Sequence, residues 1–597
     1  MKLPVSLHGI FLLLTTASAF AQLSQTWNTN TAGSNWSNAA SWTPAGSPAA
    51  NNVTFGDAFG KGVIGTIGNV VDQSFTVNSL TYNHTGTTTT SYQVTGIGAG
   101  LELLVNSAAG TPPGTIFTVG GVTSASTRVV MQGAGTFTID EAASNISVGG
   151  PTAANTSSLE MNGLANFNAN VAVIEFGGTG SRANGDVTLA NSNVITAATL
   201  NLGTANTSTT GGSKSDLLLG TGNILHLDNI NVGLNFASGS IKFRSGLTSP
   251  GVTIRGNVNA RANLTVGNTN AIAVSNTQGS DVDFQGGNLD AQLDSLIIAR
   301  RGDSGTQATY ANTFKMDTGT VDVNAVTLAQ SAGTGVLANS TTGSITLAGG
   351  TFTVNNALSI AQNTAGATSV AGTFTQTAGT ADIKGGVVMG VKSGTATSVT
   401  ANVAISGGVM MVGGNLVEGA GAAGVTSTVA LSGTGQLEMK HGAISVDTFT
   451  FTGGKLKNVA NFSAATTGGL TMGNNTTLSY DLDAQFTSLS LTGGLSLSGS
   501  SNLELTLANG FAPAASYILV ANDDVDFTTG AFATINGAAF GPGNTFSLAN
   551  NLGTYQYALT YTGDTGNDMV IQSVPEPALS VLLGLAGLGG LIGRRRR

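Results

Sequence analysis

The densest run of carboxylates in this 597-residue chain is Asp523, Asp524 and Asp526, followed by Asp564 and Asp568. Oxygen ligands at that density can hold Ca2+. In so polar a stretch they read first as a solvated loop. The histidines number four, His8, His84, His226 and His441, each far from the next in sequence. That spacing predicts no shared metal or catalytic site. Arg301-Gly302-Asp303 spells the cell-adhesion tripeptide and is expected in an exposed loop, although so short a string arises readily by chance. There is no cysteine, which excludes a thiol nucleophile, thiolate metal sites and disulfides. No cofactor is expected. The remaining candidate lies near the C-terminus, at Val574, Pro575, Glu576 and Pro577. Each proline bars the residue before it from the α region, so Val574 and Glu576 are held extended. A processing enzyme that binds its substrate as a strand would find this stretch already in shape.

What must carry such residues is set by composition. Charged residues make up only 9% and glycine contributes 85 residues, whereas proline contributes 11. Low charge with ordinary hydrophobicity argues against disorder, and the length argues for several domains or for one elongated repeat array. The N-terminus has a basic Lys2, an apolar run around Ile10–Leu14, and Ala19 and Ala21 spaced for cleavage before Gln22. This pattern predicts a secretory signal over residues 1–21, removed by signal peptidase. Without Lys2 and Arg594–Arg597, 16 basic residues face 30 acidic ones, a net charge near −14. Nothing in that balance suggests nucleic acid.

Short alternating segments recur along the body, each closing on a small residue: Gly149, Gly177, Gly203, Gly233, Gly267, Ala299, Ala329, Ala361 and Gly390. Their separations run from 26 to 34 residues. A tenth copy ends at Gly419 but places Glu418 where its sisters are apolar, which predicts a loosening of the stack. Period-2 alternation predicts strands with one buried face, and Gly-containing dipeptides supply the corners. Two or three strands per unit of about 30 residues describe a rung of a β-solenoid, whose inner face is buried only by stacking. The expected inner ladder includes Ile174, Phe176, Leu200, Leu202, Ile230, Val232, Leu264, Val266, Leu296, Ile298, Leu358 and Ile360. The alternative is a string of separate β-sandwiches. Trp27, Trp36 and Trp42 fall within 16 residues of one another and are expected to cap the first rung. Stacking on sugar rings is the other use of such a cluster.

The units resemble autotransporter-associated β-strand repeats, with "GGTFTV" at 349–354 as the best example; Thr26–Asp57 and the stretch around 555–577 are similar to the ends of such proteins. The tail, in turn, resembles a PEP-CTERM sorting signal: Val574–Pro577, a charge-free run over 578–592, then Arg594, Arg595, Arg596 and Arg597. This resemblance implies an exosortase-type membrane enzyme as partner. It also implies a temporary inner-membrane anchor before release to the cell surface or medium. At about 1.5 Å per residue the run is a short transmembrane helix, and the four arginines set its topology. No membrane barrel terminates the chain, which disfavours a self-translocating autotransporter.

The expected architecture is therefore an all-β, parallel β-helix-like solenoid with terminal caps, a cleavable signal peptide and a short C-terminal transmembrane helix. Its parts are the signal at 1–21, an N-terminal cap and first strands at 22–125, solenoid repeats at 126–476, a C-terminal β cap or sandwich at 477–573, and the sorting tail at 574–597. The expected function is that of a non-enzymatic surface or extracellular-matrix structural or adhesive protein, with extracellular polysaccharide as a candidate partner. The alternative is a polysaccharide-degrading or -modifying β-helix enzyme, which needs three or more charged side chains converging in one groove.

Overall fold

The computed structural model describes residues 23–575, apart from 30, 57–66, 84–90, 108–113, 121–126, 150–155, 178–183, 206–213, 236, 270–278, 303–309, 333–340, 367–368, 394, 397, 422, 467, 523–525, 542 and 564–566. Within these bounds the chain is all-β, with two single-turn 3-10 segments and no helix long and apolar enough to cross a membrane. The predicted signal peptide, the 578–592 run and the arginine cluster lie outside the described residues, as do Asp523, Asp524, Asp564, His8 and His84.

The strands stack in parallel, rung upon rung, into a β-solenoid. A representative rung consists of Thr341–Leu347, Thr351–Val354 and Leu358–Asn363. The next, Val370–Gln376, Thr380–Ile383 and Val387–Lys392, pairs with it strand for strand in register. Three faces result, and we refer to them as first, second and third in chain order within a rung. Alternation of β-branched and polar residues gives burial patterns such as BiBiBiB, so every second side chain enters the interior. The expected inner ladder is fully formed: Ile174, Leu200, Ile230, Leu264, Leu296 and Val326 are consecutive partners on the third face, and all are buried. Phenylalanines add an inner stack, Phe243, Phe284, Phe314, Phe352 and Phe374, with centroids 6.0–6.5 Å apart.

The small closing residues mark the corner that follows the third face. All nine, from Gly149 to Gly390, have left-handed backbone, including Ala299, Ala329 and Ala361 at φ 61°, 55° and 57°. Alanine is tolerated there because the strand opposite makes room. A Cβ on Gly343 would lie 3.2 Å from the Ala299 Cβ, and one on Gly372 would lie 2.9 Å from Ala361 N. At two of the glycine corners a larger side chain takes up the space that a Cβ would need: Ser280 at Gly233 and Asn312 at Gly267.

Stacking extends beyond 126–476 in both directions. Ser24–Trp27 already pairs in parallel with Asn52–Phe55, and that strand with Ser79–Tyr82. At the other end, Leu489–Leu491 pairs in parallel with Ser516–Ala521. Only then do Thr545–Asn550, Gly553–Gly563 and Asp568–Ser573 turn antiparallel and cover the last rung. The loosening expected at Glu418 does not occur: Val387–Met389 pairs with Leu416–Glu418 without a register shift. The carboxyl group accepts a hydrogen bond from the hydroxyl of the buried Ser427.

Candidate interaction face

The three tryptophans are 0%, 0% and 1% exposed, so none offers a ring to a sugar. Trp42 packs edge to face on Trp27, Trp36 and Phe55, and Trp27 stacks on Phe55, closing the first rungs. Arg301 corrects another expectation. It is the last residue of the strand Asn288–Arg301 and is only 4% exposed, because the strand carries on past the corner in register with Ser331. Asp303 lies outside the described residues. His226 stands on an outward position of the second face, whereas His441 is at a turn with Nδ1 3.3 Å from Thr487 Oγ1.

Near the C-terminal end, Val574 donates its N–H to Gln556 O at 2.8 Å, and Val574 and Pro575 are exposed directly after the last strand. Glu576 and Pro577 lie outside the described residues.

Charge is distributed unevenly along the first face. In its upstream half, Asp216 faces Lys242, Asp281 bonds Lys214 at 2.6 Å, and Asp283 faces Lys315. Burial, together with the neighbouring Asp216 charge, raises the Asp186 carboxyl above its ordinary value, even though the Asp216 N–H donates to it. The second face is likewise laced with ion pairs, Arg255–Asp290 and Arg261–Asp322 upstream and Lys457–Asp481 downstream. Hydrogen bonds and charge from Arg261 hold Asp322 below the usual carboxylate range.

From Thr342 onward the first face loses its charge. Successive rungs present Ser344 and Thr346, then Thr373 and Thr375, Asn402 and Ala404, Thr428 and Ala430, and Thr448 and Thr450. Every one stands outward, and all but Thr448 lie between two buried neighbours. Backbone pairing fixes these side chains on a grid of about 4.8 Å between rungs and about 6.6 Å along each strand. Chemically it is an uncharged, flat strip of hydroxyl, methyl and amide groups. Composition alone gave no sign of this partition, since it needs each strand assigned to a face.

Two open cavities lie among the described residues. One of about 710 Å3 is lined by Thr477, Asn502, Thr506, Thr534 and Asn536, with Glu504 its single charged residue. Another, of about 410 Å3, is lined by Glu418 and Asp447 beside Ser445, Ser463 and Thr492. Among the described residues no group of three or more His, Asp or Glu side chains is placed to hold a metal ion.

No family model and no curated protein matches the chain. Among solved structures it is similar to the crystal structure of the autotransporter UpaB from E. coli strain CFT073. The identity is 13%, the alignment covers 92% of this chain and 100% of that one, and the TM-score is 0.28. The solenoid assignment rests on the strand register above.

Proposed function

We propose that this chain is an exported, non-enzymatic structural or adhesive rod of the cell surface or extracellular matrix. Its uncharged hydroxyl strip lies against neutral polysaccharide. The strip carries the reading. A neutral glycan can exchange hydrogen bonds with Thr and Ser without any charge being desolvated, and repetition over successive rungs multiplies weak contacts into avidity. The rod does the mechanical work of holding those contacts in line. In a sedimentation assay the full-length mature protein is expected to bind insoluble neutral glucan. A Thr373→Lys/Thr375→Lys double variant, changed only at outward positions, is expected to lose most of that binding while keeping its melting temperature. Equal binding by both proteins would sink the assignment of the strip.

The tail belongs to the same reading, as a sorting signal cut by an exosortase-type enzyme after a temporary stay in the inner membrane. Cleavage beyond Ser573 would leave the closing antiparallel strands intact. Intact-mass measurement of native protein from envelope and medium is expected to show a chain beginning at Gln22 and lacking everything beyond the Val574–Pro577 region. An intact Arg597 in the mature protein would mean a permanent tether.

A further inference from the structure

Between most successive rungs the chain leaves the third face through a connection of several residues. Residues 419–424 make one of these, joining Leu416–Glu418 to Val425–Leu431. One rung later the chain passes from Ala443–Val446 to Thr448–Phe451 through Asp447 alone. At this step the inner column of the third face, apolar from Phe176 to Met389, receives Glu418.

Glu418 and Asp447 meet on Ser427, which is fully buried. The Ser427 hydroxyl donates to Glu418 Oε2 at 2.7 Å and accepts the Asp447 N–H at 2.9 Å. Ser427 N–H in turn donates to Asp447 Oδ2 at 2.9 Å. Two carboxyl groups from successive rungs are thus held on one serine, beside the 410 Å3 cavity. We propose that Glu418, Ser427 and Asp447 form a proton-operated clasp, closed while the Glu418 carboxyl holds its proton and opened by its loss.

Burial raises the Glu418 carboxyl above its ordinary value, and the charge and hydrogen bond of Asp447 add to this, against the Ser427 bond that lowers it. Asp447 is the one charged group acting on it among the described residues. From the preceding rung, Met389 packs in the column, and Lys392 spends its ammonium on the Ala423 carbonyl. From the rungs that follow come Ser445, Ser463 and Ala464, all uncharged. Among the described residues no cation therefore relieves Glu418 once it ionises. A carboxyl raised in the folded state binds its proton more tightly there than in the open chain. The clasp is accordingly intact below the ordinary glutamate range and weakens as pH rises through the raised value. The consequence is local: the corner around Glu418, Ser427 and Asp447 loosens toward neutral pH and the cavity beside it widens.

Hydrogen exchange of the full mature protein tests this, read on peptides covering 425–448 and corrected for the intrinsic pH dependence of exchange. Protection of the Ser427 and Asp447 amides is expected to fall several-fold from mildly acidic to neutral pH, while that of 370–376 stays constant. Glu418→Gln, which cannot ionise, is expected to keep protection at both pH values. If that variant does not fold, Asp447→Asn makes the same test. Equal protection at both pH values in the native protein, or unchanged pH dependence in the variant tested, overturns the clasp.

Discussion

Gly203→Ala is expected to destabilise its rung by about 3 kcal/mol or more, an unusual cost for one methyl group. Gly203 sits at φ 72°, and a Cβ there would lie 2.0 Å from the Ser238 carbonyl oxygen and 2.6 Å from its carbon. The obstacle is backbone of a strand whose Ser238 is held in register with Lys214, so no side-chain rotation relieves it. Ala329→Gly, at the equivalent corner, is expected to change stability by less than about 1 kcal/mol, because relief of the left-handed strain offsets the added freedom of the unfolded chain. Gly267→Ala falls between the two. Its Cβ would meet the Asn312 side chain at 2.2 Å, and Asn312→Gly is expected to restore part of the loss by copying the Ala299–Gly343 arrangement. Because a solenoid unfolds by neighbouring units, the measurement is local hydrogen exchange at 199–202 and 229–232 alongside a thermal melt. A mild phenotype for Gly203→Ala would mean that the corner column does not set the rung geometry.

These corners also show how much of the fold was legible in the sequence. The nine closing residues could be read from spacing alone, because a left-handed corner admits few residue types and the chain returns to it at each rung. The inner ladder followed from period-2 alternation. The upper end was hidden for a physical reason. Trp27, Phe55, Tyr82 and Val119 hold the same column as Val148 and Phe176. Aromatic rings fill that end, however, and the closing small residue gives way to Asn28 after Trp27 and Asn83 after Tyr82. The lower end was hidden by shortening: Ile444 and Phe462 are rung partners only 18 residues apart. Glu418 was visible as an anomaly, but its meaning was not, since Ser427 and Asp447 reach it only through stacking. The hydroxyl strip was hidden in the same way, because Thr373 and Thr353 look alike until one is assigned to the neutral face and the other to the ion-paired one.

Trp36→Ala is expected to cost about 3–5 kcal/mol at the upper end of the rod. The Trp36 ring is fully buried, with Trp42, Phe55 and Phe75 at centroid distances of 5.3, 5.8 and 5.8 Å. Its Nε1 donates at 2.8 Å to Asn69 Oδ1, on a residue that is itself buried. Truncation removes the packing and also strands that oxygen, which adds about 1–3 kcal/mol. Trp36→Phe separates the two contributions, because it keeps most of the ring packing and loses only the hydrogen bond. Both losses fall on the end that shields the first rung, so the rod is expected to fray from there and not to melt as a whole. Hydrogen exchange should rise steeply at 52–55 and 79–82 and stay unchanged at 358–360, with red-shifted fluorescence from Trp27 and Trp42. If Trp36→Ala kept those upper strands protected but weakened binding to insoluble glucan, the cluster would be a sugar-stacking site exposed in solution, and its role as a cap would be wrong.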